Sequence, residues 1–160
     1  MVQEEGSVDV YGGTALFVFS PDLSVSIKSQ YMKESHSVIL CLGSNIHQQE
    51  NMRHAQQLLR AEYTSITFTP SIWTEPIGVV SPPYLNCMAE IKTKDDLTIL
   101  HEKTKNIERL MHSSAKERKD NIVRIDIDIM RYDNHIYHEK DWSRDYVKQL
   151  AVILHNTLHL

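Results

Sequence analysis

Arg124-Ile125-Asp126-Ile127-Asp128-Ile129-Met130 alternates apolar and polar side chains almost without a break. Strict alternation marks a β-strand with one face in a core, because successive side chains leave a pleated strand on opposite sides. Ile125, Ile127 and Ile129 fill one face, and Arg124, Asp126, Asp128 and Met130 fill the other. Aspartate is disfavoured in strands, so two of them two positions apart set this stretch aside. Their α-carbons lie roughly 6 to 7 Å apart on a strand, and like charges so placed repel. A bound cation relieves that repulsion, and magnesium prefers carboxylates that leave room for water and phosphate oxygens. Read alone, the pair fits a solvated strand face equally well.

The stretches on either side complete the pattern. Val38-Ile39-Leu40-Cys41-Leu42 is a short apolar run that stops at Gly43-Ser44-Asn45, which predicts a buried strand entering a turn. Met52, Ala55, Leu58, Leu59 and Tyr63 then keep helical spacing. Residues 64–73 alternate through Ile66, Phe68 and Ile72, and Pro70 predicts an edge or a bulge. Pro76, Gly78, Pro82 and Pro83 make the following segment a loop. From Tyr84 onward, Leu85, Cys87, Ala89 and Ile91 face one way, so Tyr84, Asn86, Met88 and Glu90 face the other. Asp95 or Asp96 caps a helix whose stripe is Leu97, Leu100, Ile107 and Met111, ending near His112. Residues 113–121 carry nothing apolar larger than alanine and read as a mobile polar loop. After the aspartate strand, Asp133-Asn134 turns into a short strand over 135–138, and a helix starts near Ser143. Strand, helix, strand, strand, helix, strand is the split arrangement of ferredoxin-like α+β folds, here a βαββαβ core with an added C-terminal hairpin and helix.

Composition bounds the partners. The chain of 160 residues has room for one well-buried core, and its 41% hydrophobic and 24% charged residues are ordinary globular usage. Residues 1–35, with Gly6, Gly12, Gly13 and the break at Ser20-Pro21, read as an N-terminal extension, leaving 36–160 as the functional domain. A net charge of −4 gives no global basic field, which argues against nucleic acid and membrane as partners and makes any phosphate binding local. With no long apolar segment and an acidic Glu4-Glu5 near the start, a cytoplasmic address is expected. Cys41 and Cys87 both lie in strand-like runs, which suits reduced buried thiols.

Read in order, these segments resemble the 6-hydroxymethyl-7,8-dihydropterin pyrophosphokinase family. Gly43-Ser44-Asn45 with Glu50-Asn51-Met52 looks like the family's first strand, turn and helix start. Trp73-Thr74-Glu75-Pro76-Ile77-Gly78 is similar to its pterin-side loop, Tyr84-Leu85-Asn86 to its next strand, and Ile107-Glu108 to a pair in its second helix. Ile125 through Met130 looks like its metal strand almost letter for letter, and the spacing back to Ile107-Glu108 fits without a gap. The resemblance implies a magnesium-dependent transfer of diphosphate from ATP to the pterin alcohol, releasing AMP, in folate biosynthesis. It also implies Asp126 and Asp128 as catalytic ligands of two magnesium ions, with pterin and ATP as the small-molecule partners. Thr74, Ile77, Tyr84 and Asn86 fall at the pterin, and Glu108, Lys116, Arg118 and Ile129 at the ATP.

Departures accompany the match. The family's two arginines and tryptophan before the metal strand have no counterpart in register; Lys116, Arg118 and Lys119 either neutralise phosphates in their place or are solvated surface charges. Arg124 stands one position away from the family's arginine and either clamps a phosphate as a catalytic residue or pairs with the carboxylates beside it. The family's Pro-His element is replaced by Asp141-Trp142-Ser143-Arg144-Asp145-Tyr146. A member of the family that binds pterin or nucleotide without transferring anything is the alternative these losses raise. A nucleic-acid-binding module of the same fold needs exposed aromatics flanked by basic residues, where this strand face carries two aspartates. His135 and His138 lack the further ligands of a zinc site.

Overall fold

The computed structural model describes residues 35–78 and 80–159, apart from the side chain of Arg118; the expected extension, save Ser35, lies outside the described residues. The chain runs β1 (His36–Ser44), α1 (Gln48–Glu62), β2 (Ile66–Phe68), β3 (Ile72–Thr74), β4 (Tyr84–Thr93), α2 (Leu97–Leu110), α3 (Ala115–Lys119), β5 (Asp126–Tyr132), β6 (His135–Ile136) and α4 (Asp145–Leu158), with a single 3₁₀ turn at Asp141–Ser143 before α4. The sheet order is β2-β4-β1-β5-β6, with β3 also on β4 and every pairing antiparallel. The βαββαβ expectation is met in an α+β, ferredoxin-like arrangement.

Alternation divides the core between the two sides of this sheet. Val38, Leu40 and Leu42 of β1 join Leu85, Cys87, Ala89 and Ile91 of β4 and Ile127 and Ile129 of β5 under Met52, Ala55 and Leu59 of α1 and Leu100 and Ile107 of α2. Each such fully buried aliphatic side chain is worth roughly 1.5–3 kcal/mol. On the reverse side, Ile39, Cys41, Met88 and Met130 pack on Val147, Leu150 and Leu154 of α4. That same side also bears Gly43, Asn86, Asp126 and Asp128, and there the sheet opens into a cleft.

Three local expectations change. The segment over 64–73 is two short strands rather than one, because Pro70 has no amide to give the ladder. Thr69 spans the break: its amide donates to the Met88 carbonyl at 2.9 Å, and its Oγ1 accepts from the Met88 amide at 3.0 Å. Residues 113–121 are not a plain loop. Ser114 Oγ accepts from the Glu117 amide at 3.2 Å, and Glu117 Oε2 accepts from the Ser114 amide at 3.4 Å, a reciprocal cap that starts α3. The aspartate strand begins at Asp126, two residues later than its alternation predicts, since Arg124 turns to α3 instead of extending the ladder.

Candidate active site

Register places the first group of polar residues. Gly43 of β1 is opposite Asn86 on one side and Asp126 on the other, and Cys41 is opposite Asp128. Strands lie about 4.8 Å apart, so Asn86 and Asp126 stand roughly 10 Å from each other across β1. Glycine at 43 leaves the space above the strand to the Asn86 carboxamide. Asn86 is buried, and its Nδ2 donates to Thr74 Oγ1 at 2.7 Å, which orients the amide from the neighbouring β3. Thr74, Ile77, Tyr84, Asn86, Asp126 and Asp128 thus line one cleft of about 220 Å³, together with Asp141, Arg144 and Tyr146 from the segment leading into α4. Ile77 is exposed at its lip.

The cleft has a negative floor. Burial pushes the Cys41 thiol far above its ordinary range, with Cys87, Asp128, Asp126 and Asp141 adding to the effect. Cys87, buried, is pushed up to about 11. Burial, then the charge of Asp126, also raises the Tyr84 phenol. Both cysteines are free and, so shielded, remain thiols rather than nucleophiles at neutral pH. Arg144 Nη2 pairs with Asp141 Oδ1 at 2.9 Å, and His138 lies 3.8 Å from Asp141 and 3.9 Å from Asp128.

A second cleft, of about 590 Å³, opens on the other side of the aspartates, between α2 and β5. Leu97, His101 and Lys105, four residues apart along α2, line it opposite Ile127, Asp128, Ile129, Tyr137 and His138. Asp128 lines both clefts.

The aspartates fit a magnesium site. Asp126 and Asp128 are 37% and 35% exposed, point to the same side of β5, and line the first cleft. Among the described residues no group of three or more His, Cys, Asp or Glu gathers to hold a metal ion. Magnesium, which keeps several waters and takes one or two carboxylates plus substrate phosphates, suits such a pair; a closed zinc or calcium cage does not.

Other residues singled out in the sequence lie elsewhere. Ile129 lines the second cleft. Glu108 is buried, and its Oε1 accepts the Ile127 amide at 2.9 Å and pairs with Lys105 at 2.7 Å, which ties α2 to β5. Arg124 lines neither cleft: its Nη2 and Nε lie 2.7 and 2.8 Å from Glu117 Oε1. Lys116 lines neither cleft, and the Arg118 side chain lies outside the described residues. Sequence reading passed over Lys105, although the Leu97-His101-Lys105 spacing marks a second stripe on α2. It also passed over Asp141, Arg144 and Tyr146, whose segment departs from the family pattern. Asn45 proves structural: buried, it accepts the Val123 amide at 2.7 Å and donates to the Asn121 carbonyl at 2.6 Å, clamping the approach to β5.

An antiparallel α+β sheet whose two clefts share one carboxylate has room for two ligands side by side. The family model of 7,8-dihydro-6-hydroxymethylpterin-pyrophosphokinase (HPPK) matches residues 39–155, and the chain belongs to that family. It is accordingly a pyrophosphokinase, moving pyrophosphoryl from ATP to hydroxymethyldihydropterin in folate synthesis. A search of curated proteins gives no match. None of the described helices is long and apolar enough to cross a membrane.

Proposed function

We propose that the transfer takes place beside Asp128, with the pterin alcohol in the first cleft and ATP in the second. The observation that carries this reading is that Asp128 lines both. The catalytic unit is residues 36–160, with the preceding segment an appendage.

In the first cleft the Asn86 carboxamide offers both a donor and an acceptor to the amide edge of the pterin, and Thr74 keeps it in that orientation. Tyr84 and Ile77 supply the surfaces that cover the ring. In the second cleft Ile129 and Leu97 give the nucleotide apolar contact. Lys116 and Arg118, on α3, are assigned to its outer phosphates by the family resemblance alone, Lys116 lining neither cleft in the free protein, and Glu108 works from behind, holding α2 against the aspartate strand. Asp126 and Asp128 would hold two magnesium ions, which would offset the negative charge of the ATP phosphates.

The hydroxymethyl oxygen attacks the β-phosphorus and gives its proton to water; the bond from that phosphorus to the oxygen bridging to the α-phosphorus breaks, and AMP leaves with that oxygen. Positioning supplies most of the acceleration, because phosphoryl-type transition states need little covalent help. The rival reading, binding without transfer, draws on the positions of Arg124 and Lys116 outside both clefts. A coupled assay of AMP release with ATP, magnesium and the pterin alcohol decides between them. Release that requires the pterin supports the proposal, and binding of both substrates with no AMP overturns it.

A further inference from the structure

The side of α2 that borders the second cleft carries one lysine, held on a buried carboxylate. Lys105 Nζ lies 2.7 Å from Glu108 Oε1 and 4.0 Å from Asp126 Oδ1. The same Glu108 oxygen accepts the Ile127 amide at 2.9 Å. One buried carboxylate therefore anchors the lysine to the strand that bears both aspartates. A separation of 4.0 Å exceeds a hydrogen bond, so this approach to Asp126 is attraction without bonding. Among the described residues Lys105 is the only lysine or arginine lining the second cleft. Arg124, by contrast, is held on Glu117 at 2.7 Å.

We propose that Lys105 is a nucleotide-phosphate-binding residue, whose ammonium leaves Asp126 for the non-bridging phosphate oxygens when ATP enters the second cleft. The assignment rests on the transfer reading for the choice of nucleotide and cleft. Lysine suits this role because a compact charge on a flexible stem follows phosphates that shift during transfer. In the free protein it offsets the negative charge of Asp126, and it is released from that role when the carboxylate takes up cations. It thus supplies positive charge from the helix, while Arg124, before β5, is held on Glu117.

The test is calorimetric titration of the full chain with a non-hydrolysable ATP analogue plus magnesium, and separately with adenosine, for wild type, Lys105→Met and Lys105→Arg. Analogue affinity is expected to fall about tenfold or more in Lys105→Met, the loss of one charge-assisted contact. Lys105→Arg keeps most of it, and adenosine affinity is unchanged in both. Equal analogue affinity in wild type and Lys105→Met overturns the proposal. A parallel loss of adenosine and analogue affinity also overturns it, marking a structural lysine. If Lys105→Met does not fold, Lys105→Gln is read by the same measure. A wild-type chain that binds the analogue but releases no AMP defeats the transfer reading alone, and Lys105 is still judged by the titration.

Discussion

A β-carbon built on Gly43 stands 2.8 Å from Oδ1 of Asn86, closer than a β-carbon comes to a neighbouring atom in real proteins. The glycine is therefore there for the carboxamide lying over it. Gly43→Ala is expected to push that carboxamide off its bond to Thr74 and weaken pterin binding roughly 10- to 100-fold, the cost of misplacing one or two buried hydrogen bonds. Pterin titration against wild type reads the effect; unchanged affinity contradicts the role given to Asn86.

Asn45 links the end of β1 to the start of the aspartate strand. Removing its side chain leaves the Val123 amide without its 2.7 Å acceptor and the Asn121 carbonyl without its 2.6 Å donor. Asn45→Ala is expected to cost roughly 2–3 kcal/mol in urea unfolding. Loss of less than about 0.5 kcal/mol, the range of an ordinary surface change, is incompatible with the clamp.

Asp133 gives the fold an acid-sensitive tie. Its Oδ2 lies 2.7 Å from His36 Nδ1, and its Oδ1 accepts the Ser37 amide at 2.9 Å; the His36 bond first, then the Ser37 amide, hold its carboxyl below the usual range. A carboxylate whose pKa is depressed on folding stabilises the protein above its unfolded value, about 4, and loses that contribution as pH falls through the lower folded value. Unfolding midpoints of Asp133→Asn are expected to fall less steeply than wild type as pH drops below about 4. Superimposable curves in that range rule the tie out.

What was legible in the sequence follows from which residues have alternation behind them. Leu85 to Ile91 and Ile125 to Ile129 announce their strands because each inward side chain is apolar, and the same period puts Asn86, Asp126 and Asp128 on the opposite face. The aspartates and Asn86 come to one cleft because both strands flank β1, a pairing that no local pattern states. Short-range caps were harder to read: Ser114 and Glu117 sit in a segment without apolar spacing, so the helix they start is visible only through their reciprocal bonds. Arg124 obeys the strand's alternation yet bonds Glu117, because a nearby carboxylate outweighs the extension of the ladder by two residues. Lys105 was lost among the charges of an amphipathic helix, although its spacing from Leu97 and His101 puts it on the side of α2 that borders the second cleft.

The rate of AMP release by Asp128→Ala, with ATP, magnesium and the pterin alcohol at saturation, tests the central claim most directly. Turnover is expected to vanish while the urea midpoint stays close to that of wild type, because the side chain is partly exposed and carries no part of the core. An Asp128→Ala protein that still releases AMP at the wild-type rate contradicts an account in which the two substrates meet at that carboxylate.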